Sequence, residues 1–238
     1  MKVLWFSHVP AFPDEIGNSE YKGGTWISAL LKHVSQLDAI ELAVCSHSQG
    51  STVSRLVIDR TIYYNIQPNT NVIDKIYSKL FHKLSNEDIE LYLEIIEEFQ
   101  PDIIQVFGTE GGFGRIAEHT DVPIIIHLQG LINPIVDAWF PRGVNLFDTF
   151  FASSIRSLIL GNGYFHQYFY IQKQAKREMD IISMNRYFFS KTDWDKAYIK
   201  LLNHSATFFH CNEMMRDEFY VKKWNWPSKT KKYVFVSV

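Results

Sequence analysis

Residues able to do chemistry cluster after short apolar runs. Tyr187–Ser190 is followed by Lys191 and Thr192, and the run at 206–209 by His210, Cys211, Asn212 and Glu213, with Arg216 just beyond. Earlier in the chain His8, the pair Gly23 and Gly24, Glu110 and His127 hold the same kind of position. Such sets can grip an anion or a polyhydroxylated ligand through cationic side chains, hydrogen-bonding imidazoles and backbone N–H groups. His127 is the best placed of the histidines, ending an apolar run next to Gly130. Its imidazole is suited to hydrogen-bonding a hydroxyl or steadying charge on a departing phosphate, although a strand-end histidine is as often purely structural. Glu213 and Arg216 stand three apart on a helix start, so they equally well pair with each other. Gly23 and Gly24 suit either a phosphate cradle or a tight turn.

Several chemistries are excluded by spacing. No HExxH occurs, and neither Cys45 nor Cys211 has a neighbouring ligand pair, so no metal site is expected. GxGxxG, GxxxxGK[ST] and GxSxG are all absent, which removes the dinucleotide, P-loop and nucleophile-elbow readings.

The elements that must carry these residues alternate. Strands are expected at residues 3–7, 40–45, 61–66, 103–107, 124–128, 187–190 and 206–209, and helices at 25–36, 71–84, 87–99, 113–118, about 145–160, 164–182, 193–202 and 214–220. Trp194, Tyr198, Leu201 and Leu202 share one side of the helix at 193–202. Buried strands that each end in a polar cluster opening a helix are the pattern of an α/β protein. The expected architecture is a Rossmann-like open, mostly parallel sheet with helices on both faces, whose ligands gather beyond the carboxyl ends of the strands.

With 238 residues, 46% of them hydrophobic, the chain can bury a substantial core. A net charge of −2 argues against a nucleic-acid partner. No apolar run is long enough to span a bilayer, and the N-terminus lacks the form of a secretory signal. Two distant cysteines suggest a reducing compartment and no structural disulfide. Residues 133–180 are crowded with aromatics, from Trp139 and Phe140 to Tyr170. We read them as extra core in preference to a surface that meets a membrane or a lipid-linked substrate, because few basic residues precede Lys173.

Four pieces resemble the N-terminal half of a GT-B glycosyltransferase of the retaining class called glycosyltransferase family 4. They are MKVLWFSHVP with its long loop and Gly23-Gly24-Thr25, then PDIIQVFGTEG, then PIIIHLQGL, then SKTDWDKAY followed by FHCNEMMRDEFY. The resemblance implies a Rossmann-like domain over residues 1–226, with 227–238 as a linker and the first strand of a missing C-terminal donor-binding domain. It implies transfer of a sugar from a nucleotide-sugar donor to a glycan or lipid-linked acceptor, by a protein inactive without its second domain. His127 would contact the transferred sugar as the catalytic residue. Gly23 and Gly24 would border donor phosphate or acceptor, and Glu110, Lys191, Asn212, Glu213 and Arg216 would line the substrate cleft. No cofactor and no metal are implied, and the setting would be cytoplasmic, at the inner face of the membrane. A complete doubly wound nucleotide-binding enzyme and a non-enzymatic ligand-binding domain are the alternatives.

Overall fold

The computed structural model of the protein describes residues 1–9, 26–47, 54–66, 86–160, 163–215 and 217–223. Gly23, Gly24, Arg216, the helix expected at 71–84 and the segment 227–238 lie outside the described residues.

One eight-stranded sheet organises the chain. Its strands are β1 (Lys2–Ser7), β2 (Glu41–His47), β3 (Ser54–Ile58), β4 (Thr61–Ile66), β5 (Ile103–Phe107), β6 (Ile124–His127), β7 (Tyr187–Ser190) and β8 (Thr207–His210), in the order β3-β4-β2-β1-β5-β6-β7-β8. All neighbours pair in parallel except β3 with β4. The expected mostly parallel, Rossmann-like α/β sheet is therefore present. The antiparallel edge strand β3 was not expected. It joins β4 through a tight turn in which Asp59 takes a positive φ of 52°. The strand at 206–209 was read as buried, but β8 lies at the edge of the sheet and is only half covered.

The central strands are continuous apolar runs because both of their faces are covered. One face carries Leu4, Phe6, Cys45, Tyr64, Ile104, Val106, Ile126 and Phe188. Against it pack α2 (Asn86–Phe99), the 3-10 helix Phe113–Glu118, α6 (Tyr164–Met184) and α7 (Asp193–Leu202). The other face carries Val3, Trp5, Leu42, Val44, Tyr63 and Phe107 under Ile27 and Leu31 of α1 (Trp26–Val34). Four shorter helices remain among the described residues: α3 (Ile132–Asp137), α4 (Leu146–Ala152), α5 (Ile155–Leu160) and, after β8, α8 (Asp217–Val221). The helix expected at about 145–160 is thus two helices, broken at Ser153 and Ser154.

On α7 the buried residue is Ile199, while Trp194 and Leu201 are exposed. Of the side expected to be apolar, Tyr198 and Leu202 pack against the core and Trp194 and Leu201 do not, because α7 covers the border of the sheet, where only part of its circumference meets the core. Cys45 and Cys211 are both free thiols.

Where the 3-10 helix meets α6 the backbone approach demands glycine. A Cβ on Gly114 would lie 2.6 Å from Ile181 Cγ2 and 3.2 Å from Ile126 Cδ1. Gly114→Ala is expected to cost about 2 kcal/mol of stability through overpacking. A lowered denaturant midpoint with an unchanged slope checks this.

Candidate functional site

β1 lies at the centre of the sheet. From it the chain builds outward to β2, β4 and β3, then returns to build β5 through β8 on the other side. The strand order therefore reverses between β1 and β5, and a crevice at the carboxyl ends there is the natural ligand position.

The loops at that crevice are tied by specific contacts. Gly108, with a φ of +80°, follows β5, and its N–H donates to the His127 carbonyl at 2.9 Å. Arg177 reaches up from α6 and donates from Nη2 to the Glu110 carbonyl. His8, just after β1, packs its ring 5.6 Å from that of His47, which in turn stacks on Phe113 at 5.1 Å. Burial and then the Arg177 guanidinium hold the His8 pKa below its usual value, with Glu110 opposing them. His8, His47, Glu110 and Arg177 therefore converge at the switch point.

His127 ends β6, one strand further along, as expected. Its exposure is not what a sugar contact requires, because the ring is fully buried. Trp26 lies 4.7 Å away, Phe107 5.5 Å and Phe189 5.3 Å, centroid to centroid. Gln105 Nε2 lies 3.0 Å from Nδ1. With the amide donating, the imidazole proton sits on Nε2, which has no partner among the described residues. Burial, then the nearby Lys191 charge, push the His127 pKa down to about 4, with Glu213 pulling the other way. At neutral pH His127 is uncharged. Among the described residues Trp26, Phe107 and Phe189 are the rings that pack around it.

Lys191 follows β7 and stands over the same edge. Its ammonium donates to the Gln129 carbonyl at 3.3 Å and pairs with Glu213, which follows β8. Glu213 is thus engaged by Lys191 from the neighbouring strand end. Asn212 beside it is exposed. The structure gathers His127, Lys191 and Glu213 in one neighbourhood, and Glu110 with His8 in the adjoining one. Among the described residues no group of three His, Cys, Asp or Glu side chains is arranged to hold a metal ion.

Three participants were not foreseen. Gln105 is a polar interruption in the apolar run IIQVF, a signal the sequence does carry. Arg177 and Glu178 lie mid-helix with nothing local to mark them. Glu178 is fully buried. It accepts from Thr109 Oγ1 at 2.6 Å, from the Ile132 N–H at 2.9 Å, from the Asn133 N–H at 2.9 Å and from Asn133 Nδ2 at 2.8 Å. One carboxylate joins the loops after β5 and β6 to α6.

Two outcomes follow from this geometry. Glu178→Ala is expected to cost about 3 kcal/mol or more, since several buried donors lose their acceptor together; chemical denaturation measures it. For His127 the folded pKa lies below the unfolded value of about 6.5, so the unfolded chain binds more protons between the two. Its contribution is intact above about pH 6.5 and is lost as pH falls toward 4, by about 3 kcal/mol in total. His127→Phe is expected to flatten that part of the stability–pH curve.

The chain matches no family model, and no curated protein matches it. Solved structures do. A sucrose-phosphate synthase from Thermosynechococcus elongatus superposes with a TM-score of 0.54 at 8% identity, over 88% of this chain and 47% of that one. An alpha,alpha-trehalose-phosphate synthase (UDP-forming) from Burkholderia vietnamiensis superposes more loosely, with a TM-score of 0.45 at 9% identity, over 84% and 42% of the two chains. This chain therefore spans about half the length of the synthases it matches. At such identity the likeness is one of fold: the Rossmann-like sheet described above is also the fold of part of a sucrose-phosphate synthase.

Proposed function

We propose that this chain is the acceptor-side lobe of a retaining glycosyltransferase of the GT-B, family 4-like kind. It holds a glycan or lipid-linked acceptor along the carboxyl edge of its sheet, while a second lobe brings a nucleotide-sugar. The setting is the cytoplasm, at the inner face of a membrane. The observation that carries the reading is the cluster at the carboxyl edge of the sheet, where Lys191, paired with Glu213, stands beside His127. The fold likeness to a sucrose-phosphate synthase supports it, as does the share of that enzyme's length which this chain spans.

In this reading the bond between the sugar C1 and the donor phosphate breaks as the acceptor oxygen bonds to C1 on the same face. The acceptor hydroxyl proton passes to the departing phosphate oxygen. No metal and no cofactor take part. Lys191, released from Glu213, offsets the phosphate charge, and His127 donates to a sugar hydroxyl. Asn212 and Glu213 line the cleft near β8, and Glu110 lines it near the switch point. Gly23, Gly24 and Arg216 are assigned to the same cleft by their place in the sequence. Positioning and electrostatics supply the catalysis, so no pair of hydrolase-type carboxylates is needed.

Two measurements test the reading. Calorimetric titration of this chain with UDP-glucose, UDP-N-acetylglucosamine and GDP-mannose is expected to show only weak binding or none; sub-micromolar binding would make the chain a complete nucleotide-binding enzyme instead. In the full-length protein, His127→Phe fills the same space without the N–H. It is expected to lower transfer about a hundredfold, the scale of losing one transition-state donor, with little change in melting temperature. Unchanged transfer would remove His127 from the mechanism.

A further inference from the structure

The aromatics of the middle segment are not extra core. α4 has the sequence LFDTFFA and not one buried residue. Phe147 is 73% exposed and Phe151 80%, Ile155 on α5 is 77% exposed, and Tyr164 at the start of α6 is 70% exposed. Phe150 and Phe169 are also exposed. Ring contacts make part of this surface continuous. Phe151 meets Phe150 at 5.6 Å, Phe150 meets Phe165 at 5.2 Å, and Phe165 meets Phe169 at 5.1 Å. Single exposed apolar side chains are ordinary, but a contiguous set marks a contact surface.

Charge identifies the contact. Over the whole chain acidic residues outnumber basic ones. Between Ala138 and Lys173 the order reverses: Arg142, Arg156 and Lys173 stand against Asp148 alone. Asp148 is engaged in capping α4, where it accepts from the Asn145 N–H at 2.7 Å. Arg142 and Arg156 are exposed. Apolar rings flanked by cations on short helices are the composition of an element that lies in a membrane interface. No described helix is long and apolar enough to cross one.

We propose that α4, α5 and the first turns of α6 dock this protein on an anionic bilayer. Phe147, Phe151, Ile155 and Tyr164 enter the boundary between headgroups and acyl chains, while Arg142 and Arg156 meet the lipid phosphates. The helix α6 relates this face to the candidate site. It leads into β7, so it runs back from the carboxyl edge toward the amino edge of the sheet. Glu178 marks the level of the strand ends, and Tyr164 lies roughly 20 Å before it along the helix at 1.5 Å per residue. The docking face therefore projects on the side of the crevice. If the transferase reading also holds, an acceptor carried on a lipid rises into the cleft from the same bilayer. Docking itself does not depend on that reading.

Flotation of the intact chain with vesicles tests the proposal. Vesicles of equal parts phosphatidylcholine and phosphatidylglycerol are expected to carry the protein, and pure phosphatidylcholine vesicles to carry at least about tenfold less. Added salt weakens the binding. The combined substitution Phe147→Ser, Phe151→Ser and Ile155→Ser removes only exposed side chains, so circular dichroism stays unchanged while binding falls at least about tenfold. Arg142→Glu with Arg156→Glu leaves every ring in place and lowers binding to the anionic vesicles alone. No flotation, equal flotation on both lipids, or flotation unaffected by either variant overturns the proposal. So does a concentration-dependent dimer of the parent chain that the triple variant abolishes, since that would assign the face to a second copy of this chain.

Discussion

A buried carboxylate holds the carboxyl edge of this sheet together. An acid with no solvent contact costs several kcal/mol unless donors surround it. Glu178 meets that condition with a hydroxyl from the loop after β5 and with two backbone N–H groups and an amide from the start of α3. The two loops and α6 are therefore one unit. Neither loop shifts without stripping a buried charge of its donors. Arg177, the next residue, adds a second tie by holding the Glu110 carbonyl. The crevice between β1 and β5 is bounded on one side by this assembly.

That assembly gives His127 its meaning. The carbonyl of His127 is bonded to Gly108, which leads into the tied loop, so the backbone at the end of β6 is set. Its side chain, by contrast, keeps Nε2 without a partner among the described residues, inside a set of aromatic rings. Buried donors left unused are rare, because each costs about 1–3 kcal/mol. Three of the flanking rings come from different elements: Trp26 from α1, Phe107 from β5 and Phe189 from β7. Two belong to strands paired beside β6, whereas Trp26 opens a helix.

How much of this was legible in the sequence depended on the range of the interactions. The parallel strands were legible because burial on both faces turns each into an unbroken apolar run, as in IIQVF and IIIH. The polar residues that end them were legible for the same reason. β3 was not, since SRLVI is half polar and its turn at Asp59 and Arg60 lacks glycine. Nor was α3. Its N-cap position, Leu131, has no capping side chain, and the group that satisfies its first N–H donors is Glu178, 46 residues away. Arg177 was hidden in the same manner. Strand-end chemistry is written locally, whereas the helix residues that position it act across the fold and leave no local mark.

The aromatic segment failed as a prediction for a reason of layers. A sheet has two faces, and the face that α6 packs on is already occupied by α2, the 3-10 helix and α7. α6 contributes Ile181 and Ile182 to that core from its second half only. Its first half extends past the strand ends, where no sheet lies beneath it. α4 and α5 are attached there, and among the described residues the rings of α4 pack on one another and on Phe165 of α6. Extra hydrophobic residues become core only where a layer remains to be covered. Counting aromatics along the sequence cannot reveal that the layers are full. Once they are, the surplus rings no longer contribute to a packed interior, and their exposure must be explained by what lies outside the fold.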